Sequence, residues 1–289
     1  MDRLSVLCFG GTYALALLGD LARVAVRGSA RWYLTLGLTA LAWLVQGAYL
    51  ANRGLSEGMP PVTSASESLL VLSWLLALAG LYLMARSSRS VAVGVFVLPA
   101  VLAMIVMAGT APHDGWSDWG GARRFWGMAH GLFLLFGAAS SCVGFLAGLM
   151  YLIQSRRLKQ KRPPQPGFAL PSLEQSERLN RGAITLAFPL LTLGLVIGMA
   201  LIASTRPADG STAVRWTDPK VLSTGAMWLA FAVLLHARFR PSMRGRRMMV
   251  LTMVAFAFLA FTWVGVDLLF HTDHGTSLPA VAPAVGGAS

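Results

Sequence analysis

The chain has 289 residues, 55% of them hydrophobic and 12% charged, with a mean hydropathy of +0.62. Soluble domains carry about 25% charged residues, so this balance excludes an ordinary soluble enzyme. The formal charge of +12 would suggest nucleic acid as partner in a soluble protein, but in so apolar a chain the basic residues are read against a membrane.

A hydrocarbon core about 30 Å thick needs roughly 20 apolar residues per helix, and lipid forces each segment to satisfy its own backbone polar groups. Eight segments qualify, at 4–23, 32–51, 67–86, 91–109, 127–154, 183–203, 221–237 and 248–270, each bounded by Arg, Pro, Gly, Asp or Ser clusters. The first ends on Asp20 and Arg23, where a cleaved signal would carry small residues, so it is read as a retained span. The expected fold is all-α, a polytopic membrane bundle of about eight transmembrane helices with both termini external. It divides into a four-helix region over 1–125 and a second over 126–289 that contains a loop at 156–182. In that loop Pro163, Pro164 and Pro166 precede Leu170-Pro171-Ser172-Leu173, and Ser172 with Gln175 has capping-box spacing. A helix is expected to start there, then bend or run on into the sixth span. Gly144 with Gly148 and Gly194 with Gly198 have the small-residue spacing of close helix contacts in a bilayer. The two halves show no sequence repeat, which disfavours a transporter built from inverted repeats.

Alternate loops differ sharply in charge. The first, third, fifth and seventh hold 17 of the 24 Lys and Arg residues, and the opposite side with both termini holds 7. By the positive-inside rule the odd loops, 156–182 included, are cytoplasmic, in a multi-pass protein of the cell's inner (plasma) membrane. The basic runs are assigned to orientation and anionic lipids, at about 1 kcal/mol per residue near the surface, and not to nucleic acid. Cys8 and Cys142 lie in apolar runs without CxxC or CxxCH spacing, which argues against a disulfide framework, a zinc site or covalent haem attachment.

With the sides assigned, four of the five histidines fall externally: His113, His130, His271 and His274. His236 ends the seventh span at the cytoplasmic face. Trp116, Trp119, Trp126 and Trp216 share the external side. Interfacial tryptophan has an anchoring role of its own, and His113, His271 and His274 also fit solvated tails. His130, within Met128-Ala129-His130-Gly131-Leu132-Phe133, does not, because an ionisable group inside a span marks function by default. Asp267, near the external end of the last span, needs a partner or water. Neutral imidazole ligates haem iron and other metals, and flat rings suit a porphyrin face. His-Glu-x-x-His, a phosphate-binding glycine loop and a nucleophile elbow are all lacking, so an enzyme with a bond-making active site is disfavoured.

From about Trp126 onward the sequence resembles the integral-membrane cytochrome c assembly family of the CcsA and HemX type. The stretches that carry the likeness are Phe125-Trp126-Gly127-Met128-Ala129-His130, Tyr151-Leu152, Leu170-Pro171-Ser172-Leu173 and Phe188-Pro189-Leu190-Leu191, then Leu235-His236-Ala237-Arg238 and Phe261-Thr262-Trp263-Val264-Gly265-Val266. Upstream, only Gly58-Met59-Pro60-Pro61 and Glu67-Ser68 are similar. The family's external tryptophan motif corresponds to Trp216-Thr217-Asp218-Pro219-Lys220-Val221, without its first tryptophan and its glutamate.

The resemblance implies a protein that binds or presents haem during c-type cytochrome biogenesis. Its cofactor would be non-covalent haem b, with His130 and His274 as the iron ligands and Trp126, Trp216, Asp218 and Lys220 around them. His236 would mark a cytoplasmic entry site, or serve as a structural hydrogen-bonding residue. Propionates would lie near Arg123, Arg124 or Arg215 through charge-assisted bonds. The implied partners are haem, apocytochrome c, a second biogenesis membrane subunit and anionic lipids. Two other readings stand beside this one: a HemX-like regulator of haem-synthesis enzymes acting through loop 156–182, and a small-solute transporter using His236 and Asp267.

Overall fold

A computed structural model describes residues 3–25, 29–58, 60–87, 92–111, 121–161, 169–204, 217–239 and 245–269. Apart from a single bridge residue, Ala169, their regular secondary structure is helical: α1 (Arg3–Ala25), α2 (Ser29–Glu57), α3 (Ala65–Arg86), α4 (Gly94–Thr110), α5 (Gly121–Lys159), α6 (Leu173–Ser204), α7 (Pro219–Ala237) and α8 (Arg246–Ala260), with α8 running through a π turn (Phe261–Gly265) into a last turn, α9 (Val266–Leu269). Seven of these helices are long and apolar enough to cross a membrane. α4 is shorter, and its 17 residues span about 25 Å. It carries no charged residue and buries Val97, Leu98, Val101 and Ile105. The chain is a polytopic helical membrane bundle.

The eight expected segments all appear, but the fifth and sixth helices are longer than their apolar cores. α5 runs on to Lys159 because Arg156, Arg157 and Lys159 are good helix formers and sit favourably at a helix C-terminus. α6 begins at Leu173. Its capping box closes reciprocally, with Gln175 N–H donating to Ser172 Oγ (3.1 Å) and Ser172 N–H to Gln175 Oε1 (3.2 Å). A Glu174–Arg178 pair at 2.7 Å then supports the first turns. The helix expected to start at this box continues without a break into the membrane, and 160–172 connects α5 to α6.

Contacts between helices trace two four-membered rings. α1–α2, α2–α3, α3–α4 and α4–α1 close the first, while α5–α6, α6–α7, α7–α8 and α8–α5 close the second, and α3 against α5 joins them. The first ring packs around Phe9, Tyr13, Leu70, Leu76 and Leu98. A buried Gln46 ties three of its helices: its Oε1 accepts from Tyr13 Oη (3.0 Å), and its Nε2 donates to Leu70 O (3.1 Å) and Ser73 Oγ (2.8 Å). In a hydrocarbon environment an amide must find such partners. The second ring packs around Leu135, Leu191, Phe231, Leu234 and Met249.

α5 and α6 approach most closely where side chains vanish. A Cβ on Gly137 would stand 2.7 Å from Leu191 Cδ2, and one on Gly194 would stand 2.6 Å from Leu134 Cδ2. Lipid tails supply no hydrophobic drive between helices, so close van der Waals packing of this kind helps to hold them together. Across this seam Asn180 Nδ2 donates to Gly144 O at 2.8 Å and to Thr252 Oγ1 of α8 at 3.2 Å.

Candidate functional site

The close packing of α5 on α6 determines how His130 is held. The half-buried imidazole lies against Gly198, where a Cβ would stand 2.7 Å from His130 Cε1 and 2.9 Å from Nδ1. Its Nδ1 is 2.7 Å from Gly194 O. A carbonyl oxygen only accepts, so Nδ1 carries the proton and donates, and in the neutral ring Nε2 is left as the lone-pair nitrogen. A ring held by one nitrogen to a backbone carbonyl, with the other free to coordinate, is the usual state of a metal-ligating histidine. The donor chemistry therefore fits ligation of haem iron.

Trp126 lies one helical turn before His130 on the same face of α5. Its ring is half exposed and meets Phe125 edge-on at 5.5 Å. Arg123 and Arg124 precede it on the same helix, Arg123 exposed and Arg124 partly so. The start of α7 reaches this level through α6. Trp228 Nε1 donates to Thr192 Oγ1 (2.9 Å), and moving six residues along each antiparallel helix brings Gly198 level with Leu222. The first turn of α7 and the His130 turn of α5 thus share one end of the bundle.

At that end Asp218 has a definite structural task. It is the N-cap of α7, buried, with its Oδ1 accepting from Lys220 N–H at 2.7 Å, and Pro219 follows at the first helical position. The carbonyl of Lys220 accepts from Ser223 Oγ and Thr224 Oγ1. Thr262, in the π turn after α8, donates to Ser223 O at 3.3 Å and so fastens the end of α8 to the start of α7. π turns of this kind are frequent at functional positions. Trp216, His274, Arg215, His113 and His271 lie outside the described residues. Asp267 falls in α9, but its side chain is likewise outside the description.

His236 occupies the opposite end, exposed in the last turn of α7, where its carbonyl accepts from Arg238 and Phe239 N–H. Nearby, Arg238 Nη1 donates to Arg181 O at 3.3 Å. His236 and His130 therefore do not share a site.

Two features of the structure are not legible in the sequence. Gly194 and Gly198 were legible as helix contacts, but not as the acceptor and the seat of an imidazole. Glu67 was visible only as a family-like residue. It is buried at the start of α3, and its carboxylate accepts from Arg53 Nε (2.7 Å), Thr63 Oγ1 (2.8 Å) and Thr63 N–H (3.2 Å), so it pins the α2–α3 turn.

Taken together, these helices define a multi-pass helical membrane protein with an oriented imidazole at one end and an arginine-rich opposite end. The family model described as "Cytochrome C assembly protein" matches residues 62–274, and the chain belongs to that family. Among its relatives are proteins named cytochrome c biogenesis protein CcsA. The one from Parasynechococcus marenigrum is 29% identical over 294 residues, covering 93% of this chain and 94% of the relative. That of Synechococcus sp. (strain CC9605) is 29% identical, covering 90% and 92%, and that of Guillardia theta is 26% identical, covering 84% and 85%. No solved structure matches. The family match begins at Val62, so it takes in α3 and α4, where the sequence resemblance is thin.

Proposed function

We propose that this chain takes part in c-type cytochrome biogenesis by binding non-covalent haem b and presenting it at the His130 end of the bundle. Family membership supports the biogenesis role, and the hydrogen bond from His130 Nδ1 to Gly194 O carries the haem reading. His130 and His274 would be the iron ligands. Trp126 and Trp216 would offer flat faces, and Arg123 and Arg124 would take the propionates. In this reading Asp218 and Lys220 act by shaping the turn into α7. His236, at the other end, would meet haem on entry. When bound, haem would supply a redox-active iron, and the protein's part would be to hold it through the oriented imidazole of His130. The distribution of Lys and Arg supports an external, periplasmic location for the His130 end in an inner membrane. The natural recipients are apocytochrome c and a second biogenesis subunit. No bond-making step is assigned to this chain.

The deciding experiment is an optical spectrum of the full chain purified from haem-replete membranes. The expected result is a Soret band with low-spin features, lost or shifted in His130→Ala and in His274→Ala. A colourless wild-type protein, or variants with unchanged spectra, would overturn the proposal.

A further inference from the structure

A cavity of about 750 Å³ opens between α3, α5 and α6, on a different part of the bundle from the seat of His130. Its inner walls are apolar, formed by Leu75 and Ala79 of α3, Phe136 and Val143 of α5, and Leu186 of α6. Apart from Ser140 of α5, its polar residues gather at the start of α6, where Ser172, Glu174, Gln175 and Arg178 form the mouth. Glu174 Oε1 accepts from Arg178 Nη2 at 2.7 Å, and a guanidinium has further N–H donors for an anion.

From Glu174 to Leu186 the groove runs about 18 Å along α6, close to the depth of one leaflet of a hydrocarbon core about 30 Å thick. It stops partway along α6, which continues to Ser204, so it is too short to seat a helix crossing the whole bilayer. Phe136 and Leu186 are exposed along it, which opens it sideways to lipid. None of the described residues lining it is His, Cys, Met or Tyr, so they offer an iron porphyrin no ligand. Its surroundings at the mouth are basic. Arg157 lies 18 residues, or five helical turns, beyond Ala139 on the same face of α5, and Arg156 and Lys159 end that helix beside the α6 N-terminus. Helix N-termini favour anionic oxygens.

We propose that this groove holds one anionic phospholipid of the leaflet at the arginine-rich end, with an acyl chain between α3, α5 and α6 and the phosphate at Arg178 and the first turn of α6. The proposal does not rest on haem binding, and a haem-free protein would hold the same lipid. The test uses the full chain reconstituted in nanodiscs of phosphatidylglycerol or of phosphatidylcholine, then delipidated stepwise, with bound lipid counted by native mass spectrometry. Wild type is expected to keep about one phosphatidylglycerol and at least fivefold less phosphatidylcholine. Ala139→Trp, which fills the groove, should lower phosphatidylglycerol retention at least fivefold, and Arg178→Gln should abolish the preference between the two lipids. Equal retention of both lipids by wild type, or retention unchanged in Ala139→Trp, would overturn the proposal. Should Ala139→Trp fail to fold, a photoreactive benzoylphenylalanine at position 136 decides the matter. An adduct of phospholipid mass supports the proposal, and an adduct to another protein chain or to porphyrin refutes it.

Discussion

At the scale of single residues, the chemistry turns on an imidazole whose orientation is set by two positions that lack side chains. Gly198→Ala would put a methyl group within 2.7 Å of His130 Cε1, so the ring must swing off the Gly194 carbonyl. On the haem reading, Gly198→Ala should weaken the low-spin Soret signature at least severalfold while the protein stays folded by circular dichroism. An unchanged spectrum would mean that ring orientation is immaterial. Asp218 separates charge from capping. Asp218→Asn should keep both stability and haem, because Asn caps a helix as well as Asp, whereas Asp218→Ala should cost about 1 kcal/mol, read as a lowered Tm. Haem lost equally in both variants would show that the carboxylate charge itself matters. Much of this was legible in the sequence, since His130 stood out as an ionisable group in an apolar run. The partner was not legible, because a backbone carbonyl carries no residue type and the Gly194–Gly198 spacing speaks only of packing.

At the scale of helices, hydropathy alone located eight segments and underestimated the lengths of the second, fifth and sixth. Hydropathy reports where lipid is, and helix formation needs only capping and propensity, so α6 starts ten residues before its apolar part, at the Ser172–Gln175 box. The π turn was invisible for a related reason, since Phe261–Gly265 differs from an α turn in hydrogen bonding and not in composition. Packing at α5–α6 makes a direct prediction. Gly137→Ala would set a Cβ 2.7 Å from Leu191 Cδ2 and 3.2 Å from Leu191 N, and the backbone atom cannot rotate away. Overpacking of this kind costs about 1–3 kcal/mol, to be read as a lowered thermal midpoint in detergent. By contrast Gly11→Ala, with open space around its Cβ, should leave that midpoint within a degree or two of wild type.

At the scale of the whole molecule, sidedness is the property to test. Single cysteines at Thr217 and at Gln160, introduced into a chain lacking Cys8 and Cys142, lie at opposite ends of the bundle. On the proposed orientation a membrane-impermeant maleimide should label position 217 in intact cells and position 160 only after permeabilisation, and the reverse pattern would invert the topology. The alternation of charge along the sequence made this prediction possible before any coordinates, because sidedness is a property of loops and loops are read directly. The arrangement of helices into two rings was not legible, since it depends on which neighbours meet across the bilayer. That arrangement also bears on the order of events during synthesis. The α4–α1 contact closes the first ring using helices made before α5 begins, and the α3–α5 packing, with the Ala92 N–H to Ala169 O hydrogen bond at 3.0 Å beside it, joins the second ring to the first. Domains tend to fold as units from the N-terminus as the chain emerges. A nascent chain halted after α4 should already resist protease as a closed four-helix unit, with the outer face of α3 waiting as the template on which the histidine-bearing half is laid down.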